Sequence, residues 1–286
     1  TRLADDTINI GPAPAAQSYL RGDIIIEKAL EKKVDAIHPG YGFLSENAVF
    51  SENVTKNGLT FIGPSSEVIK SLGDKIAARR IAETAGIEVV PGCDIDDLGS
   101  VEFNEIESKI GLPIMIKAAA GGGGRGIRVV HSVSDLKSSL ATASAEAKAS
   151  FGDGTIYLER YIKNARHIEV QFLGDGQTFL HLFERECSIQ RRRQKIWEEA
   201  PASCLTSAER MKVCEMAIRL AAHVKYKGVG TVEFLYDNDR KSFHFIEVNT
   251  RIQVEHPTTE FITGLDIVEL MINVAAGTKL DMEQSA

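Results

Sequence analysis

The chain has 286 residues, 43% hydrophobic and 26% charged, with a formal net charge of −7 and a pI near 5.6. That length exceeds the usual single domain, so roughly two or three subdomains sharing a cleft are expected. The acidic balance argues against a general nucleic-acid binder, and no apolar run reaches membrane-spanning length. Cys93, Cys187, Cys204 and Cys214 show no CxxC pairing, which disfavours a zinc site or a disulfide frame and reads as reduced core thiols.

Residues 1–21 read as irregular, and Asp23 to Lys32 as an amphipathic helix. A short strand, Val34 to Ile37, stops at His38-Pro39-Gly40-Tyr41-Gly42. Ser45 is expected to cap the next helix, with Val49, Phe50 and Val54 along it. Strand Leu59 to Ile62 precedes a helix from Ser66 to about Gly73 and another from Asp74 to Ala85. This βαβα rhythm suits an open parallel sheet. Val89-Val90-Pro91-Gly92 marks the first boundary.

Ile114-Met115-Ile116-Lys117, the glycines Gly121 to Gly126 around Arg125, and Ile127-Arg128-Val129-Val130 read as strand, loop, strand. Dinucleotide and P-loop fingerprints need a helix straight after the glycines, and here β-formers follow. Backbone amides in a glycine loop approach an anion closely, so phosphate binding and a plain surface hairpin both remain open. A helix from about Ser134 to Ser150 and strand Ile156 to Tyr161 follow. An antiparallel hairpin spans Arg166 to Phe183, and helix Met211 to Lys225 comes next. Strands Thr231 to Tyr236 and Ser242 to Val248 follow, with a last helix over Asp266 to Ala276.

With a turn centred on Arg240, Glu233 faces Glu247 across the last two strands. Alternation then adds Asn249 to their face, with Phe243 and Phe245 deeper along it. Carboxylates so opposed repel unless a cation lies between them, which suits a hard divalent ion. A register slip would instead leave two solvated acids. Asn249 to Pro257 is expected to stay extended, its Arg251, Gln253 and Glu255 able to hold a small oxyanion and take its proton. In the plainer alternative Arg251 pairs with Glu255 on a polar edge strand. Arg191, Arg192 and Arg193 are expected to neutralise Glu184, Glu186, Glu198 and Glu199.

The strings HPGYGFLSEN (38–47), GDK (73–75), IKAAAGGGGRGIRVV (116–130), ECSIQRRRQK (186–195), EEAPA (198–202), GTVEF (230–234) and EVNTRIQVEHPTTE (247–260) resemble the biotin carboxylase family of ATP-grasp ligases. The resemblance covers essentially the whole chain. It implies an α/β (α+β) ATP-grasp fold with a partial, Rossmann-like N-terminal subdomain over 1–74. The ATP-grasp domain would cover 75–286, with a glycine-flap lid over about 90–161. It implies ATP with Mg2+ or Mn2+, and biotin as a substrate carried on another domain or subunit.

On matching positions, Lys75, Lys117, Gly122, Gly123 and Gly124 would meet the phosphates, and Glu159, Arg160 and Ile162 the adenine. His167 and Gln190 would reach the ribose and nearby polar groups. Glu233, Glu247 and Asn249 would hold the metal, and Lys195, Arg251, Gln253, Val254 and Glu255 the bicarbonate, with Glu255 as base. Arg193 in place of the family's usual His, Arg160 in place of Lys, Ala120 in place of a flap glycine and Trp197 in place of a small aliphatic depart from the pattern.

The resemblance also implies sequence before Thr1 and a further domain after Ala286. Expected partners are a biotinyl carrier and a carboxyltransferase, in an oligomeric protein of the cytoplasm or mitochondrial matrix, with no role for nucleic acid or membrane. Other ATP-grasp chemistry, of the carbamoyl-phosphate type, and a nucleotide-binding module without turnover are the alternatives.

Overall fold

The computed structural model describes residues 3–95, 103–118, 127–191 and 194–284. Gly122, Gly123 and Gly124, with the rest of the glycine cluster and Arg192 and Arg193, lie outside the described residues.

The first unit comprises α1 (Gly22–Glu31), β1 (Ala36–Ile37), α2 (Ala48–Lys56), β2 (Thr60–Phe61) and α3 (Ser66–Gly73). β1 and β2 pair in parallel, Ala36 beside Thr60 and Ile37 beside Phe61, as the alternating rhythm requires. Ile26, Phe50, Val54, Leu59 and Ile69 fill its core. The cap of α2 corrects the sequence expectation: Asn47, not Ser45, accepts the Phe50 amide at 2.8 Å. Ser45 and Asn47 instead donate their own amides back to Gly42 and Leu44 in turns, so the helix starts later. Glu46 is thereby left on a loop. α4 (Lys75–Thr84) follows at once, capped by Asp74.

A second unit holds β3 (Gly92–Ile95), α5 (Phe103–Ile110), β4 (Ile114–Ala118), β5 (Ile127–Val130), α6 (Val133–Phe151) and β6 (Ile156–Arg160). Its strands form an antiparallel sheet in the order β3-β6-β4-β5. Leu136, Leu140, Ala143 and Ala147 on α6 meet Ile114, Ile116 and Leu158 in an apolar core, the helical stripe legible in the sequence.

The third unit is a five-stranded antiparallel sheet, ordered β11-β10-β7-β8-β9. It is built from β7 (Ala165–Asp175), β8 (Phe179–Arg191), β9 (Gln194–Glu199), β10 (Lys227–Asp237) and β11 (Ser242–Asn249). Helix α7 (Ser207–His223) separates β9 from β10 and opens on a reciprocal Thr206–Glu209 cap. One sheet face puts Ile168, Val170, Phe172, Val232 and Phe234 against α7 and α4. The other face is divided. Leu173, Leu182 and Val229 lie under Ile267, Met271 and Val274 of α9 (Ile267–Ala275). Beyond them the same face turns polar, beneath the segment that leads into α8 (His256–Thr263).

Two expectations fail here. Residues 250–255 are not extended; they turn and enter α8, a helix not foreseen from the sequence, with Pro257 in its first turn, where a missing amide hydrogen costs nothing. Phe243 and Phe245 do not share the face of the acids either. Glu233 opposes Glu247, but Phe234 opposes Phe245, so a bulge at Ile246 shifts the phase by one residue. Both phenylalanines join the apolar core on the opposite face, which has room for their rings.

Candidate active site

The polar half of the five-stranded sheet carries one rung of charges across four strands. Glu247 on β11 opposes Glu233 on β10, Glu233 opposes Glu169 on β7, and Glu169 opposes Arg185 on β8. Like charges opposed on a ladder repel, and burial multiplies the cost unless each is paired. The structure pairs them all. Arg185, fully buried, donates through Nε to Glu169 at 2.7 Å. Its other nitrogens reach Gln171 at 2.9 Å, Thr259 at 2.8 Å and Gln253 at 2.7 Å.

Lys195 on β9 reaches back over the sheet to Glu169, to Glu233 at 2.9 Å and to Glu255 at 2.9 Å. Asn249 donates to Glu233 at 2.8 Å, Gln253 donates to it at 3.3 Å, and His167 Nε2 lies 2.9 Å from its second oxygen. At the outer end Lys75 Nζ stands 3.4 Å from Glu247.

Burial alone would neutralise these groups, yet their mutual fields win. Burial pulls Lys195 down, but Glu233, Glu169 and Glu255 push it well above the ordinary lysine value. Burial pushes Glu233 up, but His167 and Lys195 hold it well below the usual carboxylate range. Glu169 is lowered against burial by Arg185 and Lys195, and Glu233 raises His167 against burial.

Most of the residues singled out from the sequence come together here. Lys195, Gln253 and Glu255 converge on one cluster with Glu233. Arg251 joins it through Asn249, whose Oδ1 accepts from Nη2 at 3.0 Å. Arg251 does not pair with Glu255; its Nε donates to Glu46 at 2.9 Å. Val254 is exposed beside them. His167 sits at the acids, where Gln190 lies 3.2 Å from its Nδ1.

Lys117 on β4 pairs with Glu159 on β6. Arg160 turns away, donating to the Ile110 carbonyl at the end of α5, and Ile162 is half-buried just beyond β6. Of the acids expected to answer the arginine run, whose Arg192 and Arg193 lie outside the described residues, Glu184 accepts from Arg210 at 2.7 Å and Glu186 from Arg166 at 3.0 Å.

Sequence reading missed Glu169, Arg185, Glu46 and Arg79. A signal existed for the first two. Glu169 and Arg185 interrupt apolar strands at positions where alternation points them to the same face, and a charge there needs a partner. Glu46 and Arg79 gave none, since their contacts lie 205 and 80 residues away in sequence.

A divalent cation fits the outer half of the rung better than the inner. His167, Glu169 and Glu233 bring ligand atoms within 4.8 Å of one another. Both oxygens of Glu169 are already taken, by Arg185 and Lys195, and none of its side chain is exposed. Glu247 is 35% exposed at its side chain and among the described residues meets only Lys75, at 3.4 Å, so the Glu233–Glu247 pair is the one that opens toward a ligand.

Residues 1–69 match the family described as biotin carboxylase, N-terminal domain, and residues 74–283 that described as carbamoyl-phosphate synthase L chain, ATP binding domain. The chain is 50% identical over 284 residues to a biotin carboxylase of Haemophilus influenzae, covering 99% of this chain and 63% of that protein. It is 48% identical over 283 residues to the mitochondrial methylcrotonoyl-CoA carboxylase subunit alpha of Mus musculus, covering 39% of it.

Among solved structures it superposes with TM-score 0.91 and 44% identity on the biotin carboxylase domain dimer of 2-oxoglutarate carboxylase from Hydrogenobacter thermophilus. That dimer was determined with MgADP, ADP and bicarbonate; 99% of this chain and 62% of that one are covered. The chain thus spans less than two thirds of the length of these relatives. Matched across both of its parts, and folded as those structures are, the chain belongs to the biotin carboxylase family of ATP-grasp ligases.

Proposed function

We propose that this chain supplies the ATP and bicarbonate half of a biotin carboxylase. The observation that carries this reading is the rung from Glu247 to Arg185, with Lys195, Gln253 and Glu255 gathered over its centre. In the reaction an oxygen of bicarbonate attacks the γ-phosphorus of ATP, ADP leaves, and carboxyphosphate forms. Its carboxyl group then passes to N1′ of biotin as the bond to phosphate breaks, and inorganic phosphate leaves with the N1′ proton.

Lys75 and Lys117 meet the phosphates, and Glu159 and Ile162 border the adenine, with Arg160 behind. His167 and Gln190 stand between the ribose and Glu233. Glu233 and Glu247, with Asn249 beside them, would hold Mg2+ or Mn2+, whose charge would neutralise the triphosphate. Lys195, Arg251, Gln253 and the Val254 backbone seat bicarbonate, and Glu255 takes its proton. Arg185 touches none of these substrates. It fixes Glu169 and Gln253, so that Lys195 and the Gln253 amide point the same way in every molecule.

The domain division follows: an N-terminal part over 1–74, and an ATP-grasp part over 75–286 with its lid at about 90–161. Biotin arrives on a carrier domain or subunit, and a carboxyltransferase uses the product. Support for this comes from a relative that is the alpha subunit of an acyl-CoA carboxylase. Assembly as a dimer is supported by the dimeric domain it resembles. The compartment is the cytoplasm or the mitochondrial matrix; among the described residues no helix is long and apolar enough to cross a membrane.

The test is ADP release by the full-length protein. Release that needs bicarbonate and rises with free biotin is expected. Release stimulated by ammonia and indifferent to biotin would assign carbamoyl-phosphate chemistry instead, and nucleotide binding without release would leave a binding module.

A further inference from the structure

Arg79 has no part in the scheme above, yet it ties three segments together. It projects from α4. Its Nη1 donates to Glu159 Oε1 on β6 at 3.1 Å, and its Nη2 donates to the Val90 carbonyl in the connection that enters β3. Its side chain is 17% exposed and that of Glu159 10%. The chain around it leaves no slack. A Cβ at Gly92 would lie 3.2 Å from both guanidinium Nη atoms and 2.3 Å from the Leu158 carbonyl oxygen, so glycine is required there. Arg79, Lys75, Tyr157, Glu159 and Ile246 line one cleft between α4, the four-stranded sheet and β11.

The charges give this tie a purpose. Glu159 is one carboxylate between two cations, Lys117 from its own sheet and Arg79 from across the cleft. A phosphate group that draws Lys117 away would leave a buried carboxylate alone, which is strongly unfavourable. With Arg79 in place Glu159 keeps a partner. The guanidinium fork also holds the Val90 connection, which sets the angle at which the four-stranded sheet presents Lys117.

We propose that Arg79 is a positioning residue for the nucleotide: it holds Glu159 and the Val90 connection so that Lys117 is free to turn to the phosphates. This rests on the ATP reading above. The test measures the dissociation constant for MgATP and the bicarbonate KM of the full-length protein in wild type, Arg79→Met, Arg79→Lys, Glu159→Gln and the Arg79→Met/Glu159→Gln double variant.

Arg79→Met is expected to weaken MgATP about tenfold, the lower end for losing a charge-assisted hydrogen bond, with the bicarbonate KM unchanged. Arg79→Lys, which keeps the charge without the fork, falls between. In the Glu159→Gln background Arg79→Met adds little, because the charge it answers is gone. Unchanged MgATP affinity in Arg79→Met, full additivity in the double variant, or loss of MgATP and bicarbonate together would overturn the proposal. A wild-type protein that binds no MgATP would overturn the ATP reading, and this inference with it.

Discussion

The five-stranded sheet buries Glu169, Arg185 and Glu233 on one of its faces, whereas the four-stranded sheet covers its helix-facing side with Ile114, Ile116 and Leu158 and carries its buried carboxylate, Glu159, near the end of β6. The first arrangement is costly in desolvation and tolerable only because each charge meets several partners in fixed geometry. The second costs little and specifies little beyond shape. Chemistry on small anions needs donors that do not reorganise, so under the proposed reading the interlocked charges belong where bicarbonate would be handled. The sheet that delivers Lys117 needs only one polar tie.

Substitutions in the two sheets separate these descriptions. Arg185→Met leaves Glu169 facing an apolar side chain and is expected to cost about 3–5 kcal/mol of stability in urea unfolding. A loss below about 1 kcal/mol would mean that the rung is not interlocked. Glu233→Gln keeps Lys195 paired with Glu169 and Glu255, so the fold should survive. The rate of ADP release is expected to fall about 10²–10³-fold, and a rate near wild type would remove Glu233 from the reaction.

Leu158→Ala, in the apolar sheet, is expected to lower stability by about 2–3 kcal/mol, because α6 lies on one side only and settles toward the gap. If Arg185→Met proved milder than this, the ranking of the two sheets would reverse. The smallest effect lies at the rim of the five-stranded sheet. There the Tyr236 hydroxyl donates to Glu209 at 2.5 Å, and the side chain and amide of Thr206 add to it, holding the Glu209 carboxyl down at about 2. A depressed carboxyl contributes stability that is complete above its unfolded value near 4.5 and lost as pH falls through about 2. Glu209→Gln should flatten that part of the acid unfolding profile by lowering stability modestly above about pH 4.5 and leaving it nearly unchanged below about 2.

The sequence by itself determined the local elements and much of the reactive set. Periodicity placed α6 and its apolar stripe, alternation opposed Glu233 to Glu247, and the strings around Lys117, Lys195 and 247–260 carried the family resemblance. His38 and His256 each hold a local contact beside a proline, His38 accepting from Gly40 at 3.0 Å and His256 lying 2.7 Å from the Gln253 carbonyl oxygen.

Tertiary structure decided the rest. The bulge at Ile246 moved Phe243 and Phe245 to the other face because the apolar core, not the strand's own alternation, sets which side can accept a ring. The turn at 250–255 carries Gln253 over the rung, where Arg185 and Glu233 satisfy its amide. Glu46 found Arg251, and Arg79 found Glu159, across long stretches of chain. Alternation and helical period describe neighbours a few residues apart. Which distant charge answers a buried one depends on how the units close on each other, and on the cost of leaving either charge unpaired.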